Sequence, residues 1–500
     1  MRTVDGCEVH LDLRLVPAAL TSWAVTAAGI VWSTTGALAV TVAVSAAAGA
    51  AWWRGTRARP PQARRLMTGA GVMAIAGTAL GFAAAIVLRV EQVDGHALAA
   101  RYGGVGTAVV TPSETPRVVG GGRLMFRGSL LAFDADEMSG RVVVFASATA
   151  FAELAAGQPA AFDARISRPR RRDLTVATLS ATGTPRFGEA ALIQRAGQRV
   201  REAFAATART ALPPDQAAML PALVLGDTSA LSRETIAQFR ASGLTHLTAV
   251  SGANVTIVCG SVLLTAGLVG PRVAVALAAA ALAGFVVVVQ PSASVLRAAV
   301  MAAITLLALV THRRRQAIPA LSAAVVALMI AAPELAVDVG FALSVSATAA
   351  LVVIAPAWSQ RLVGGGWPKP LADAVSVAAA AQVVTAPLVA AISGTFSVVA
   401  VLANLAAAVV VAPITVLGTA GAALAMIWPS GADLLIRFTG PELWWLGNVA
   451  RLSASVPGAS VPVPAGALGA VVVAAPAIAI AVLTGWRRRR LSSRHDTIGA

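Results

Sequence analysis

The chain has 500 residues, of which 57% are hydrophobic and only 12% charged, and its mean hydropathy is +0.76. This composition excludes a soluble globular protein, and repeated apolar blocks of about 18 to 25 residues match the length of bilayer spans. The formal net charge is +16, and Lys369 is the single lysine among 39 basic residues. Functional positive charge must therefore come from guanidinium groups, which bind phosphate bidentately and do not deprotonate.

Residues 1–88 are predicted to contain three transmembrane helices: Val16–Trp32, Thr35–Trp53 and Leu66–Leu88. The segment between the second and third helices, RGTRARPPQARR, contains five arginines, and an excess of Arg is typical of cytoplasmic loops. We therefore expect a cytoplasmic N-terminus and a third helix that emerges on the outer side at about Arg89. Because further apolar blocks follow directly, the first block is predicted to be a transmembrane helix and not a cleaved signal peptide.

Residues 89–187 have no long apolar block and are predicted to form an extracytoplasmic domain. Short runs alternate apolar and polar residues between turn signals: RLMFRGSLLAF, GRVVVFAS, AAFDARIS and RDLTVATLSATG. Such alternation is typical of half-buried strands, and four or five short strands predict a small OB-like β-barrel. The alternation places Leu124, Phe126 and Leu130 on the core face.

Two groups of arginines on this domain form a basic surface suited to phosphates. One group lies on the strands and the other in the run SRPRRR, for which a solvated loop without a ligand is the alternative. Phe145, aligned with Arg141, is a candidate platform for base stacking. The candidate nucleic-acid-binding residues are Arg123, Arg127, Arg141, Phe145, Arg168, Arg170, Arg171 and Arg172.

Residues 188–242 are predicted to form amphipathic helices at the membrane interface, because GEAALIQRAGQRVREAFAATART has apolar positions at helical spacing and Arg on its other face. Residues 243–486 carry the remaining apolar blocks, at approximately 244–268, 273–289, 295–311, 317–332, 339–356, 371–392, 397–428 and 465–485. We expect 397–428 to be a hairpin broken at Pro413. The result is a mainly α, polytopic fold of about 11 to 12 spans, with THRRRQ and the basic tail 487–500 in the cytoplasm.

The stretch THLTAVSGANVTIV places polar side chains in an apolar block. If the whole stretch is helical, His246, Ser251 and Asn254 share one arc of the helix. Two roles are open for these residues: they line a passage, or they form hydrogen bonds between helices.

Arg297, in PSASVLRAAVMAA, is the most costly side chain to place, because an Arg at the membrane centre is penalised by about 2.5 to 3.5 kcal/mol. It either faces a cavity or a partner, or it snorkels to the nearby interface. Gln382 and Asn404 also lie within apolar blocks, where they either line a passage or accompany local kinks.

Several kinds of chemistry have little support. A P-loop needs Gly-Lys-Ser/Thr, whereas the single lysine lies in WPKP, and the five histidines are scattered without a metal-binding motif. In a serine hydrolase built on Ser251 the base must lie within about 3.2 Å of the nucleophile, whereas His246 is about 7.5 Å away along a helix axis. We therefore expect neither an enzyme nor a cofactor nor a metal.

Four segments resemble, in this order and at similar spacing, the competence domain of the ComEC family: ALVLGDTSALSRETIAQFRASGLTHLTAVSGANVTIV, SASVLRAAVMA, PELAVDVGFALSVSATAAL and AQVVTAPLVAAISGTFSVVAVLANLAAAVVVAPITVLG. The first is the most specific, because GDxxxL, a Phe and GLxHLxAVSG form a compound motif. The resemblance covers about residues 188–430, and the preceding helices and barrel are similar to the N-terminal part of that family. The family's motif residues correspond here to Gly226, Asp227, His246, Ser251, Gly252 and Arg297.

The resemblance implies a channel that passes single-stranded DNA across the bacterial cytoplasmic membrane during natural transformation. It implies an outer DNA receptor and a cytoplasmic helicase or ATPase as partners, beside membrane lipid, and it leaves a homo-oligomer open. Asn254 stands where many relatives have His, so no role of that His carries over. Many relatives also have a C-terminal metallo-β-lactamase-like domain, which we expect to be absent here, so that either a separate nuclease or the barrel would have to degrade the second strand. The alternatives are a small-molecule or lipid-type transporter and the serine hydrolase.

Overall fold

A computed structural model describes residues 12–57, 69–134, 136–250, 252–290, 292–311, 316–476 and 479. The chain divides into two compact units. Unit 1 comprises Met1–Thr210, Val250–Phe341 and Thr419–Asp433, and unit 2 comprises Ala211–Ala249, Ala342–Gly418 and Leu434–Ala500. The protein is mostly helical with a small β-barrel, which confirms the predicted fold class at this level.

The α-helices of the described residues are α1 (Val16–Arg57), α2 (Gly69–Asp94), α3 (Leu192–Ala211), α4 (Pro214–Leu225), α5 (Arg233–Ala241), α6 (Gly252–Ala266), α7 (Pro271–Val289), α8 (Ala293–Val310), α9 (Ala317–Ala331), α10 (Val339–Val353), α11 (Ala355–Gly364), α12 (Lys369–Ser393), α13 (Ala400–Leu424), α14 (Pro429–Arg437) and α15 (Gly440–Ser455). Short 3-10 helices lie at Ala97–Arg101, Thr245–Leu247 and Pro333–Val337. Within these residues, six helices are long and apolar enough to cross a membrane, and four apolar helices are shorter, one of which, Ala467–Pro476, follows α15. The predicted total of 11 to 12 spans stays a prediction.

Helix α1 contains a chain reversal at Ser33, whose φ of 60° and ψ of −154° are not helical. A Cβ on Gly29 would lie 3.4 Å from the Cβ of Ala37, whereas eight residues of straight helix would separate these positions by about 12 Å. The chain therefore folds back on itself here. Two apolar helices with a boundary between Trp32 and Thr35 are what the sequence predicts, and the structure confirms them.

Helix α13 corrects the prediction for residues 397–428. It runs from Ala400 to Leu424 as one helix with Pro413 inside it, so the expected broken hairpin is wrong. Proline removes one backbone donor, which a helix of a membrane protein can tolerate when its neighbours compensate. The hairpin counted as two membrane crossings when the spans were assigned to sides in chain order, and the cytoplasmic C-terminus agreed with that count. With one helix in its place, the prediction for the C-terminus rests on the basic tail alone. The basic segments 58–65, 312–315 and 487–500 lie outside the described residues, as does His312.

Six strands in unit 1 form one sheet: β1 (Val105–Pro112), β2 (Arg117–Gly120), β3 (Arg123–Phe133), β4 (Asp136–Ser147), β5 (Ala160–Ser167) and β6 (Ala177–Phe187). Their order is β1-β5-β6-β4-β3, and β1 also pairs with β3, so that five strands close into a barrel. Strand β2 pairs along β3. Strands β4 and β6 run parallel, and the other pairs are antiparallel.

The barrel core follows the predicted alternation. Leu124, Phe126 and Leu130 are buried, which confirms their assignment to the inner face. The Phe151 ring packs between Phe126 and Phe162, at centroid distances of 6.5 and 5.3 Å. Inward-facing apolar side chains on β1, β3, β4, β5 and β6 thus exclude water from the barrel interior and leave the alternate residues outside.

Helix α3 follows the barrel and is amphipathic, as predicted. Its buried face includes Gly197, Phe204 and Ala208. A Cβ on Gly197 would lie 3.1 Å from the carbonyl oxygen of Val287, so this glycine allows α3 to approach the end of α7 closely. The apolar face of α3 thus packs at least partly on protein, and not on a membrane surface alone. Unit 2 also contains a small antiparallel pair, β7 (Thr395–Ser397) and β8 (Ser460–Pro462).

Candidate functional site

Arg297 lies in the first turns of α8, and its side chain is buried, with 4% of the residue exposed. The helix begins after Ser292, whose hydroxyl accepts a hydrogen bond from the N–H of Val295 at 3.3 Å. Of the two predicted placements, the structure has the buried one, because the guanidinium does not extend to a surface. Its Nη1 donates to the sulfur of Met301 at 3.3 Å, one turn further along the helix.

The guanidinium of Arg297 lies against the beginning of α6. A Cβ on Gly252, the first residue of that helix, would be 3.2 Å from Nη2 of Arg297. Only glycine leaves ordinary van der Waals space for this approach. The N-terminus of a helix carries a partial positive charge, so two positive groups converge here, which creates an environment suited to an anion such as a phosphate.

Asn254 is buried in α6, with 5% of the residue exposed, and Ser251 lies outside the described residues. His246 is in the 3-10 helix Thr245–Leu247, where it is exposed. The prediction that His246, Ser251 and Asn254 share one arc of a single helix is therefore wrong. The reason is local: the Thr248 hydroxyl donates to the carbonyl oxygen of Thr245 at 2.8 Å and closes a separate short turn before α6 begins.

Gly226 and Asp227, in unit 2, form the turn that ends α4. Gly226 has φ 74°, and its N–H donates to the carbonyl oxygen of Ala222. The Asp227 carboxylate accepts hydrogen bonds from the N–H and the hydroxyl of Ser229, at 3.1 and 2.6 Å. The start of the GDxxxL motif thus has a local structural role, because a left-handed backbone favours glycine and the Asp side chain stabilises the next turn.

We expect Gly226→Ala to lower the free energy of unfolding by about 1–2 kcal/mol, because a Cβ is strained in the left-handed conformation. The measurement is thermal unfolding of the full chain in detergent. Gly284→Ala is the matched control, since Gly284 lies inside α7 with open space around the position of a Cβ. Equal unfolding temperatures for the two variants would show that the conformation of Gly226 has no energetic importance.

The remaining candidate residues of unit 2 bond to nearby backbone. The Asn404 amide donates to the carbonyl oxygen of Ala400 in its own helix at 2.8 Å. The Gln382 amide donates to the carbonyl oxygen of Ser397 at 3.4 Å and thus connects α12 with β7. Helix α12 continues through Pro387 without a break. Both side chains are thus hydrogen-bonded to backbone, and the two predicted roles, lining a passage or accompanying a kink, stay predictions.

The outer face of β3 and β4 brings several predicted residues together. Their register pairs Met125 with Phe145 and Arg127 with Val143. The guanidinium carbon of Arg123 lies 5.5 Å from the centre of the Phe145 ring, a distance typical of cation–π contacts. Arg127 lies four residues after Arg123 on the same face of β3 and is partly exposed. This surface therefore presents an aromatic ring flanked by guanidinium groups.

Arg141 lies on the same face but forms an ion pair with Glu334 of the 3-10 helix Pro333–Val337. Its charge is therefore partly neutralised within the protein. Asp338, which follows this 3-10 helix, accepts a hydrogen bond from the N–H of Phe341 at 2.8 Å at the start of α10.

The loop between β5 and β6 carries the other predicted arginines, Arg168, Arg170, Arg171 and Arg172, and all four are exposed. Arg172 donates to the Ser33 hydroxyl at 2.9 Å, at the reversal of α1. Burial raises the pKa of Tyr102, and the positive charge of Arg168 partly opposes this shift. The loop thus contacts the first helical hairpin through one arginine.

A contact network that the sequence did not indicate joins the barrel to α3 and α7. Nη2 of Arg201 donates to the Thr115 hydroxyl at 3.1 Å. The side-chain oxygen of Gln290 accepts hydrogen bonds from the N–H and the hydroxyl of Thr115, at 3.1 and 2.8 Å. Gln290 has φ 71°, an unusual backbone conformation that surrounding contacts must hold. The partners are far apart in the chain, so no spacing could have revealed them.

The described residues contain no group of three or more His, Cys, Asp and Glu side chains arranged to hold a metal ion. The family model with the description "Competence protein" matches residues 223–489, slightly more than half of the chain. No curated protein and no solved structure matches the chain. The matched range contains Gly226, Asp227 and Arg297. The chain therefore belongs to the competence protein family, in agreement with its resemblance to ComEC proteins.

Proposed function

We propose that this membrane protein passes single-stranded DNA into the cytoplasm during natural transformation. Membership of the competence family supports a role in DNA uptake. The observation that carries the finer proposal is the outer barrel face, on which Arg123 lies over the Phe145 ring and Arg127 follows. An aromatic ring beside guanidinium groups can bind bases by stacking and phosphates by charge, and it does so with little dependence on base sequence.

We infer that the barrel is OB-like. When the short β2 is set aside, the first barrel strand pairs with the second and the fourth, and the third runs parallel to the fifth. This is a closed five-stranded arrangement of the OB kind, in which the face of the second and third strands and two loops bind oligonucleotides. These two strands are β3 and β4 here, and one of the loops is the arginine-rich loop between β5 and β6.

Arg297 and the N-terminus of α6 support the transfer step. A strand that enters a membrane loses hydration around its phosphates, and fixed positive groups can compensate for that loss. The guanidinium of Arg297 and the first turn of α6 supply such groups at one place in unit 1. Glycine at position 252 lets the guanidinium approach the helix closely, since a Cβ there would lie 3.2 Å from Nη2 of Arg297, which gives this motif glycine a role beside the arginine.

The proposal includes the setting of the protein. It lies in the bacterial cytoplasmic membrane with both termini in the cytoplasm, receives DNA from an outer receptor, and depends on a cytoplasmic helicase or ATPase for energy. It is a conduit and not an enzyme, so a separate nuclease degrades the second strand. A homo-oligomer is compatible with this function.

Cells that lack this chain test the proposal directly. We expect deletion to abolish the entry of labelled DNA into a nuclease-protected pool, with surface-bound DNA unchanged, and re-expression to restore entry. Undiminished uptake in demonstrably competent cells would contradict the proposal and favour the small-molecule or lipid-type transporter. Covalent labelling of Ser251 by a serine-reactive probe would favour the hydrolase. This test is needed because the separation of about 7.5 Å between His246 and Ser251 assumed a single helix, and His246 lies in a separate short turn.

Each barrel arginine should neutralise about one phosphate of the bound DNA. We expect Arg123→Ala and Arg171→Ala each to weaken binding of single-stranded DNA by the full chain for all base sequences. Each should also lower, by about one, the slope of the logarithm of the binding constant against the logarithm of the salt concentration. The measurement is DNA binding by protein in lipid nanodiscs over a series of salt concentrations.

Arg186→Ala is the matched control for this experiment, because Arg186 is exposed on β6, where it pairs with β5 and not with β3. Unchanged affinity and unchanged slope in both Arg123→Ala and Arg171→Ala would show that the barrel does not bind DNA through this face.

A further inference from the structure

A cleft in unit 1 has no place in the proposed function. It has a volume of about 420 Å³ and is lined by α1, α2, α9 and the 3-10 helix Pro333–Val337. Its lining is mainly apolar and includes Ile86, Met329 and Ile330. The volume falls within the range of about 300–1,000 Å³ that is typical of sites for small molecules.

Helix α2 forms one wall of this cleft, and two of its residues there are glycines. Gly77 and Gly81 both line it, and at each of them a Cβ would meet no atom within 4 Å. A long side chain at either position would therefore extend into the cleft and occupy part of it. The neighbouring residues Met73, Leu80 and Leu88 are exposed, so α2 also carries an apolar surface of the kind that faces lipid.

Arg89 lies at one end of the cleft and is the first charged residue of α2, after 20 uncharged and mostly apolar residues. Twenty such residues span about 30 Å of helix, the thickness of a bilayer's hydrocarbon core, so we expect the guanidinium to lie at the level of the headgroups. Its Nη2 donates to the carbonyl oxygen of Ile330 at 3.4 Å. In the part of the chain that the structure describes, no carboxylate forms an ion pair with it.

Thr26 provides an independent observation on the opposite wall. It lines the cleft and is 1% exposed. Its hydroxyl has no hydrogen-bond partner among the described residues, although buried hydroxyl groups normally have one. A rotation of this side chain toward the cleft would let the hydroxyl donate to an ester or hydroxyl oxygen of a ligand.

We propose that this cleft binds one anionic phospholipid, with an acyl chain along Gly77 and Gly81 and the phosphate on Arg89. Apolar walls that end at a cation match a molecule with a long chain and a negative headgroup. A second copy of α2 is a poorer occupant. One turn of helix, about 10 Å wide and 5.4 Å long, would by itself fill about 420 Å³, and a helix of apolar residues would leave the Arg89 charge without a partner.

The test uses the full chain in phosphatidylcholine vesicles that contain a trace of phosphatidylglycerol with a photoactivatable group on one acyl chain. After irradiation, the lipid attached to peptides of α1, α2 and α9 is quantified by mass spectrometry. We expect Arg89→Gln to reduce this labelling about fivefold, the loss expected for one arginine at an anionic headgroup. We expect Gly81→Leu, which fills the cleft, to abolish it.

The matched controls are Arg272→Gln, at the exposed start of α7, and Gly284→Leu, within α7 where a Cβ meets open space. Both should retain wild-type labelling. A photoactivatable diacylglycerol, which lacks the phosphate, should label the wild type about as weakly as phosphatidylglycerol labels Arg89→Gln. Equal labelling by the two lipids would overturn the role of Arg89, and wild-type labelling of Gly81→Leu on the peptides of α1, α2 and α9 would overturn the cleft as the site of the lipid.

Discussion

Replacing Arg297 by alanine is expected to lower the transfer of labelled DNA into the nuclease-protected pool by about ten- to a hundredfold, which corresponds to the loss of one charged hydrogen bond of about 1.5–3 kcal/mol at the rate-limiting step. The guanidinium is buried and lies against the first residue of α6, so neither water nor a mobile side chain can replace its charge. Transfer is measured in cells that express the variant and the wild type at equal levels.

Arg272→Ala is the control for this prediction, because it removes the same charge from the exposed start of α7, and we expect it to leave uptake unchanged. Arg297→Lys should give an intermediate rate, since lysine keeps the charge but not the planar group that fits the space beside Gly252. Uptake by Arg297→Ala at the wild-type rate, with the protein correctly inserted, would remove the guanidinium from the mechanism.

The second large effect is expected in the barrel, where Phe126→Ala should lower the free energy of unfolding by about 3–5 kcal/mol. Phe126 is fully buried and packs against Phe151, so its removal leaves a cavity in the core. With a urea dependence of about 1–3 kcal/mol per molar for a small domain, the midpoint should fall by at least about 1 M. Pulse proteolysis of the full chain in urea, read on fragments of residues 105–187, measures it.

Phe145→Ala is the matched variant, because Phe145 lies on the outer face of the next strand and contacts Arg123. We expect its urea midpoint to stay close to that of the wild type, while binding of single-stranded DNA weakens by about 1–3 kcal/mol through the loss of one stacking platform. A Phe126→Ala midpoint equal to that of the wild type would contradict the assignment of this ring to the core.

The sequence was sufficient wherever the structure depends on neighbouring residues. Apolar blocks predicted the helices, and period-two alternation correctly assigned Leu124, Phe126 and Leu130 to the barrel core, because burial of one face is encoded in the order of residues along a strand. The two motif segments that contain Gly226 and Arg297 identified the family. The local reading failed at Pro413, where α13 continues, and at His246, where a short turn replaces the expected helix.

Tertiary structure alone decided which side chains meet. The sequence indicated that Arg141, Arg172, Arg201 and Arg297 carry charge, but not that they contact Glu334, Ser33, Thr115 and Gly252. These partners are separated by many residues, and each contact depends on how helices and strands pack once the apolar surfaces are buried. Composition and periodicity record which face of an element is buried, whereas the contact that converts a buried arginine into a site arises only from the packing of distant elements.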